Sequence, residues 1–219
     1  MHNIRLLSTK CLPIEQQNRL IQTGVSYSCW NFISTIAKDF DANIDNKSLI
    51  FSSQNAVKAV FNQFRDSANN CYCVGEKTQK ILEENGQKVV KMAQNSSILV
   101  DFILKKAKKE SFLFFTGNCR MPIIETAFAQ EKRPLEVVET YTTIEQPKAI
   151  GNYDAVLFYS PSGVESYLQN NSLAQVTSFA LGETTAQSLQ LHTDNIITAS
   201  QPTIEHLIAA VRKYTTTLA

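Results

Sequence analysis

The chain has 219 residues and a formal net charge of +1, with 43% hydrophobic residues, 19% charged residues, 7 glycines and 6 prolines. That composition excludes a disordered or fibrous chain, and the near-neutral charge excludes a whole-molecule field that would gather nucleic acid or an anionic membrane. No run approaches the roughly 18 apolar residues of a membrane span, and "MHNIRLLSTK" lacks the apolar core and cleavage site of a secretory signal, so a cytoplasmic location is expected.

In chain order, "IRLLST" predicts a strand and "PIEQQNRLIQTG" a helix. The alternation continues with "SLIFSS" and "NAVKAVFNQF", "CYCVG" and "KTQKILEENG", "FLFFTG" and "PIIETAFAQE". A strand through "VVETYTT" follows, then "AVLFYS", "TSFALG", "NIITA" and the helix "TIEHLIAAVRKY". Short apolar strands between helices indicate parallel sheets covered on both faces, an α/β fold.

The pattern occurs twice. At a constant spacing of 107 residues Phe51 aligns with Phe158, Ser53 with Ser160, Val57 with Val164, Gly75 with Gly182, Thr78 with Thr185 and Leu82 with Leu189. A shared frame over two segments points to duplicated domains. The counterpart of "FLFFTGN" at 112–118 is at the other terminus, where "IRLLSTK" at 4–10 fits it at a spacing of 108. One domain is therefore expected to be discontinuous, residues 1–35 with 148–219, and the other to be the insert 36–147. The chain would cross near "DFDANIDNK" (39–47) and "IEQPKAIGNYD" (144–154), rich in turn and polar residues, leaving a hinged ligand cleft between two similar domains.

The loops that end the strands, "SSQN", "GEKT", "TGN", "SPSG" and "GETT", carry the candidate chemistry. Helix N-termini there offer free N–H groups and a favourable dipole to anions, and ligands of parallel sheets sit beyond the carboxyl ends of the strands. For any single residue among Ser53, Thr78, Ser160, Thr184 and Thr185, helix capping is the stronger reading. Together, on two facing domains, they favour a carboxylate- or phosphate-rich ligand. "GEKT" is no P-loop, since Lys77 does not follow a glycine, "SPSG" is no nucleophile elbow, and His2, His192 and His206 show no triad or metal spacing and read as surface residues. "KKAKKE" reads as a solvated helix end. The five cysteines are odd in number and lack Cys-x-x-Cys spacing, so neither a disulfide nor a metal site is expected, and Cys71 and Cys73 read as small core residues. Tyr141 by itself reads as a packing residue at a strand end.

Over nearly its whole length the chain resembles the uroporphyrinogen-III synthase family, through "IFSSQNAV", "VGEKTQKILEENG", "FLFFTGN", the Tyr-x-Thr of "VETYTT", "VLFYSPSGVESYL", "LGETTAQSL" and "TIEHLIAAV". The resemblance implies two α/β domains joined by a two-stranded connector, in a monomeric enzyme that acts without a cofactor on a linear tetrapyrrole. Hydroxymethylbilane, with eight carboxylates, would close to uroporphyrinogen III with loss of water and inversion of ring D. Departure of the ring A hydroxyl gives an azafulvene, ring D attacks through its substituted carbon to form a spiro intermediate, and fragmentation and reclosure complete the inversion. By resemblance Tyr141 is the general acid, a phenol protonated at neutral pH. Ser53, Gln54, Asn55, Thr78, Gly117, Asn118, Ser160, Pro161, Ser162, Gly163, Thr184 and Thr185 match loops that face the substrate. Lys10 stands where many bacterial members carry arginine. A cytoplasmic two-domain binding protein or sensor for an anionic ligand would share the loops without the chemistry.

Overall fold

The computed structural model describes residues 4–63 and 69–218; His2 and Phe64, the latter at the end of one predicted helix, lie outside them. The elements are β1 (Arg5–Ser8), α1 (Ile14–Ile21), β2 (Ser26–Cys29), β3 (Ile33–Ala37), β4 (Ser48–Phe51), α2 (Gln54–Gln63), β5 (Asn70–Val74), α3 (Glu76–Glu84), β6 (Lys88–Ala93) and α4 (Ser96–Lys106). They continue with β7 (Phe112–Gly117), α5 (Ile123–Gln130), β8 (Glu136–Glu145), β9 (Ala155–Phe158), α6 (Pro161–Leu168), β10 (Thr177–Ala180), α7 (Glu183–Gln190), β11 (Ile196–Thr198) and α8 (Ile204–Leu218).

The chain divides into two compact units, Met1–Ser34 with Ile144–Ala219, and Thr35–Thr143. The first unit holds a five-stranded sheet in the order β11-β10-β9-β1-β2, parallel throughout. The other sheet runs β3-β8-β7-β4-β5-β6 and is parallel from β8 to β6. The boundaries fall within β8 and within β3, so the first crossing precedes the turn-rich "DFDANIDNK" stretch.

The central strands β4, β7 and β9 bury both faces, which explains their largely continuous apolar character. In the second unit Leu49, Phe51, Cys71, Cys73, Leu113 and Phe115 pack under Ala56, Val57 and Val60 of α2 and Leu82 of α3. The intervening Ile50, Tyr72, Phe112 and Phe114 pack under Leu99 and Ile103 of α4 and Ile124 and Phe128 of α5. The first unit repeats this: Leu6, Leu157 and Phe179 face α1 and α8, while Leu7, Val156, Phe158 and Ala180 face α6 and α7. Burial pushes the Cys71 and Cys73 thiols up to about 12, so both are inert core residues.

The cysteine expectation is corrected at the other pair: Cys11 and Cys29 form a disulfide, with a Cα–Cα distance of 5.2 Å. The parallel pairing of β1 with β2 sets Ser8 opposite Cys29, and the loop after β1 returns Cys11 to it. This proximity comes from the sheet and is invisible in cysteine spacing. His206 is also half-buried rather than on the surface, its Nδ1 hydrogen-bonded to Thr203 Oγ1 at 2.7 Å. The "KKAKKE" run does end α4, with exposed Lys105 paired to Asp101.

Phe115 stacks on Phe51 at 5.5 Å between centroids and meets Phe40 edge-on at 5.7 Å. Phe115→Ala is expected to cost about 3–5 kcal/mol in urea unfolding, as for other large core truncations. Thiol titration of the denatured, unreduced protein should find three titratable thiols, those of Cys71, Cys73 and Cys119, against five after reduction.

Candidate active site

Parallel pairing puts every strand-to-helix turn of a unit at one sheet edge. In the second unit, adjacency of β8, β7, β4 and β5 gathers Tyr141, Gly117 with Asn118, Ser53 to Asn55, and the Gly75–Thr78 turn. In the first, β10, β9 and β1 gather the Gly182–Thr185 turn, Ser160 to Gly163, and Thr9 with Lys10.

The hydroxyl residues divide by accessibility. Ser53 and Ser160 are half-buried at helix starts; Ser53 Oγ accepts from the Asn55 N–H at 3.1 Å, and Ser160 Oγ from the Gly163 N–H at 3.2 Å. Pro161 opens α6, Ser162 Oγ lies 3.1 Å from Ser160 Oγ, and Gly163 is buried beside Ser160. Gln54, Asn55 and Thr184 are exposed, whereas Thr78 and Thr185 are each only 4% exposed. Those two threonines lie in the first turns of α3 and α7, whose caps Gly75 and Gly182 supply no side-chain acceptor. The first amides of both helices can therefore serve an anion. Gly75 takes φ +84°, a left-handed conformation that favours glycine, while Gly182 is extended.

Tyr141 does not end its strand: β8 continues to Glu145. The β7–β8 register sets Thr116 opposite Glu139 but Gly117 opposite Tyr141, so Thr140 is an extra residue, a β-bulge. Thr140 is buried, its Oγ1 donating to the Thr116 carbonyl at 3.3 Å. Beyond the bulge the Tyr141 ring lies on the Gly117 backbone: a Cβ at position 117 would be 2.4 Å from Tyr141 Cε2 and Cζ and 2.9 Å from the phenol oxygen. The rest of the half-buried ring packs against the cluster that contains Phe51 and Phe115.

Asn118 joins the same strand. Its Oδ1 accepts from the Thr143 N–H at 2.7 Å and its Nδ2 donates to the Thr143 carbonyl at 3.3 Å. Arg120 donates to the Gly117 carbonyl at 2.9 Å, to Glu125 at 2.6 Å and to Glu139 at 3.3 Å. Hydrogen bonds from Lys38 and then Arg120 hold the Glu139 carboxyl below its ordinary range. Stabilisation from this pairing is present above the unfolded carboxylate range and is lost as pH falls through the lowered value.

Three further residues of these edges, Thr9, Asn95 and Arg120, are not among those the sequence motifs single out. Thr9 Oγ1 donates to the Leu157 carbonyl at 2.8 Å at the edge of the first unit. Asn95 caps α4 by accepting from the Ile98 N–H at 2.9 Å, a role legible in the Asn before "SSILVDF". No periodicity signals Arg120. Among the described residues, no group of three or more His, Cys, Asp or Glu side chains is placed to hold a metal ion, and no helix is long and apolar enough to cross a membrane.

The arrangement thus offers hydroxyls and helix-terminal amides to anionic groups, and one phenol fixed on a strand. The chain has the fold of uroporphyrinogen-III synthetase from Helicobacter pylori 26695, with a TM-score of 0.71 at 17% identity over 99% of this chain and 100% of that one. It also matches a mutant uroporphyrinogen III synthase from Thermus thermophilus, with a TM-score of 0.65 at 13% identity over 98% of both chains. Among curated proteins none matches it in sequence. The family model described as uroporphyrinogen-III synthase HemD matches residues 18–209. With most of its length matched, the chain belongs to the uroporphyrinogen-III synthase family, cyclising lyases of tetrapyrrole biosynthesis.

Proposed function

We propose that this chain closes hydroxymethylbilane to uroporphyrinogen III with Tyr141 as general acid, the two compact units acting as its domains. The observation that carries the assignment to Tyr141 is its ring laid on Gly117 at the carboxyl edge of a parallel sheet, beside the hydroxyl loops. The phenol O–H donates to the departing ring A hydroxyl; the C–O bond breaks, water leaves and the azafulvene forms. Ring D attacks through its substituted carbon, and the spiro intermediate fragments and recloses with ring D inverted. The proton that ring D loses at reclosure balances the one Tyr141 gave, so the net change is loss of one water.

The remaining work is geometric. Spontaneous closure yields the uninverted isomer, so the enzyme must hold the bilane with ring D presented through the right carbon. Ser53 to Asn55, Ser160 to Gly163 and Thr184 receive its carboxylates through hydroxyls, amides and helix N-termini. Thr78 and Thr185, being buried, contribute by shaping the turns that present those amides. The protein works as a cytoplasmic monomer without nucleic acid.

Product analysis with hydroxymethylbilane tests the activity: uroporphyrinogen III is expected, and the uninverted isomer alone would refute it. Tyr141→Phe should lower turnover roughly 10²–10⁴-fold, the usual worth of general-acid assistance, with the melting temperature and bilane affinity nearly unchanged. Wild-type turnover in a folded Tyr141→Phe protein removes the assignment. Because the motif loops carry few Lys or Arg, bilane affinity measured in increasing salt should fall only modestly, and a steep loss at moderate salt would show that ion pairs dominate.

A further inference from the structure

We propose that Gly117 and Asn118 are positioning residues that act through Tyr141 and not by touching the substrate, an inference that rests on Tyr141 being the general acid. Three features of the second unit converge on this tyrosine. The bulge at Thr140 shifts β8 by one residue, so that Tyr141 rather than Thr140 comes opposite Gly117. Gly117 then supplies the floor, since any larger residue would place its Cβ 2.4 Å from the ring. Asn118 holds both the N–H and the carbonyl of Thr143, two residues beyond Tyr141, so the strand is tied to the end of β7 on the far side of the ring. Arg120 closes the assembly on the near side, binding the Gly117 carbonyl and Glu139.

The duplicated unit is an internal comparison. At the spacing that aligns "IRLLSTK" with "FLFFTGN", Thr9 corresponds to Gly117 and Lys10 to Asn118. The β1–β2 register ends at Ser8–Cys29, just before the corresponding place, and beyond it the Trp30 N–H donates to the Ser8 carbonyl and the Phe32 N–H to the Thr9 carbonyl, while Thr9 uses its side chain to bond the Leu157 carbonyl. The small residue and the amide brace thus occur together in the copy that carries Tyr141. A general acid must meet its acceptor within hydrogen-bond reach, and misplacement by about 1 Å can cost on the order of 10²-fold in rate. Fixing the phenol is therefore part of the catalytic task, and these residues serve it.

The test is a double-mutant cycle between Asn118→Ala and Tyr141→Phe, read as kcat, KM and the III to I isomer ratio after melting curves confirm folding. In the wild-type background Asn118→Ala should lower kcat roughly 10- to 100-fold with KM within about twofold. Combined with Tyr141→Phe it should add less than about twofold, since the group it positions is gone. Equal losses in both backgrounds, or an effect carried by KM, would make Asn118 a substrate contact and overturn the proposal while leaving Tyr141 as the acid. Unchanged turnover in Tyr141→Phe alone would sink both. A second cycle reads the seat without activity: Gly117→Ala should lower the melting temperature of the wild-type protein, and this loss should vanish when Tyr141→Ala removes the ring. An equal loss in both would show that Gly117 is needed for some other reason and would overturn its assignment.

Discussion

A parallel strand must be covered on both faces, and most of this molecule's organisation follows from that constraint. Most parallel neighbours are joined through a helix that shields one face, so within each sheet the strand-to-helix turns emerge at one edge. The alternation of Leu49, Phe51 and Leu113 toward α2 with Ile50, Phe112 and Phe114 toward α4 and α5 shows both faces in use. The interior has no room for chemistry. What the edge can present is the set of groups that open helices, namely hydroxyls, glycines and helix-terminal amides, which suit a substrate bearing many carboxylates.

Duplication then produced two copies of one plan that have diverged where it matters. The orders β11-β10-β9-β1-β2 and β6-β5-β4-β7-β8 correspond strand for strand once the permuted termini are matched. In both copies the loop after the fourth strand is tied to the fifth, but by different means. The first copy uses the Cys11–Cys29 disulfide; in the second, Cys119 stands where Cys11 does, and Arg120 makes the tie to Glu139, the residue that corresponds in register to Cys29. The same topological position thus received a covalent link in one copy and an ion pair in the other. In the ion-paired copy the strand so tied, β8, bulges at Thr140 and carries the phenol of Tyr141.

The duplication, the strands of the core and most of the edge loops are legible in the sequence because they are written in periodicity and in turn residues. "SLIFSS" and "FLFFTG" can be little else than buried strands with hydroxyl or glycine ends. The short β2 and β3, "SYSC" and "ISTIA", are not, because serine and threonine mask their alternation and their partners lie elsewhere in the chain. The disulfide is hidden for the same reason: eighteen residues of separation mean nothing until β1 and β2 pair. "TTIEQP" looks like the exit from a strand that ends at Tyr141, whereas β8 continues through it on hydrogen bonds that Asn118 helps to supply. Accessibility is equally hidden, since Thr184 and Thr185 stand side by side in "GETT", yet one is exposed and the other buried.

The division of labour between loops and strand has a chemical logic. Carboxylates are tolerant guests: a hydroxyl or amide that moves by a small fraction of a bond length still finds a lone pair, so helix-opening loops can hold them. Proton donation to a single leaving oxygen is far less forgiving in distance and angle. Placing the phenol within a strand, on a glycine, against the Phe51 and Phe115 cluster, anchors it to the sheet instead of to a loop. The packing that stabilises the second unit is then the same packing that restricts the ring. With Tyr141 as the proposed acid, a mutation in that cluster would reach the chemistry through the position of the ring even where no substrate atom is touched, whereas the corresponding strand end of the first unit carries Thr9.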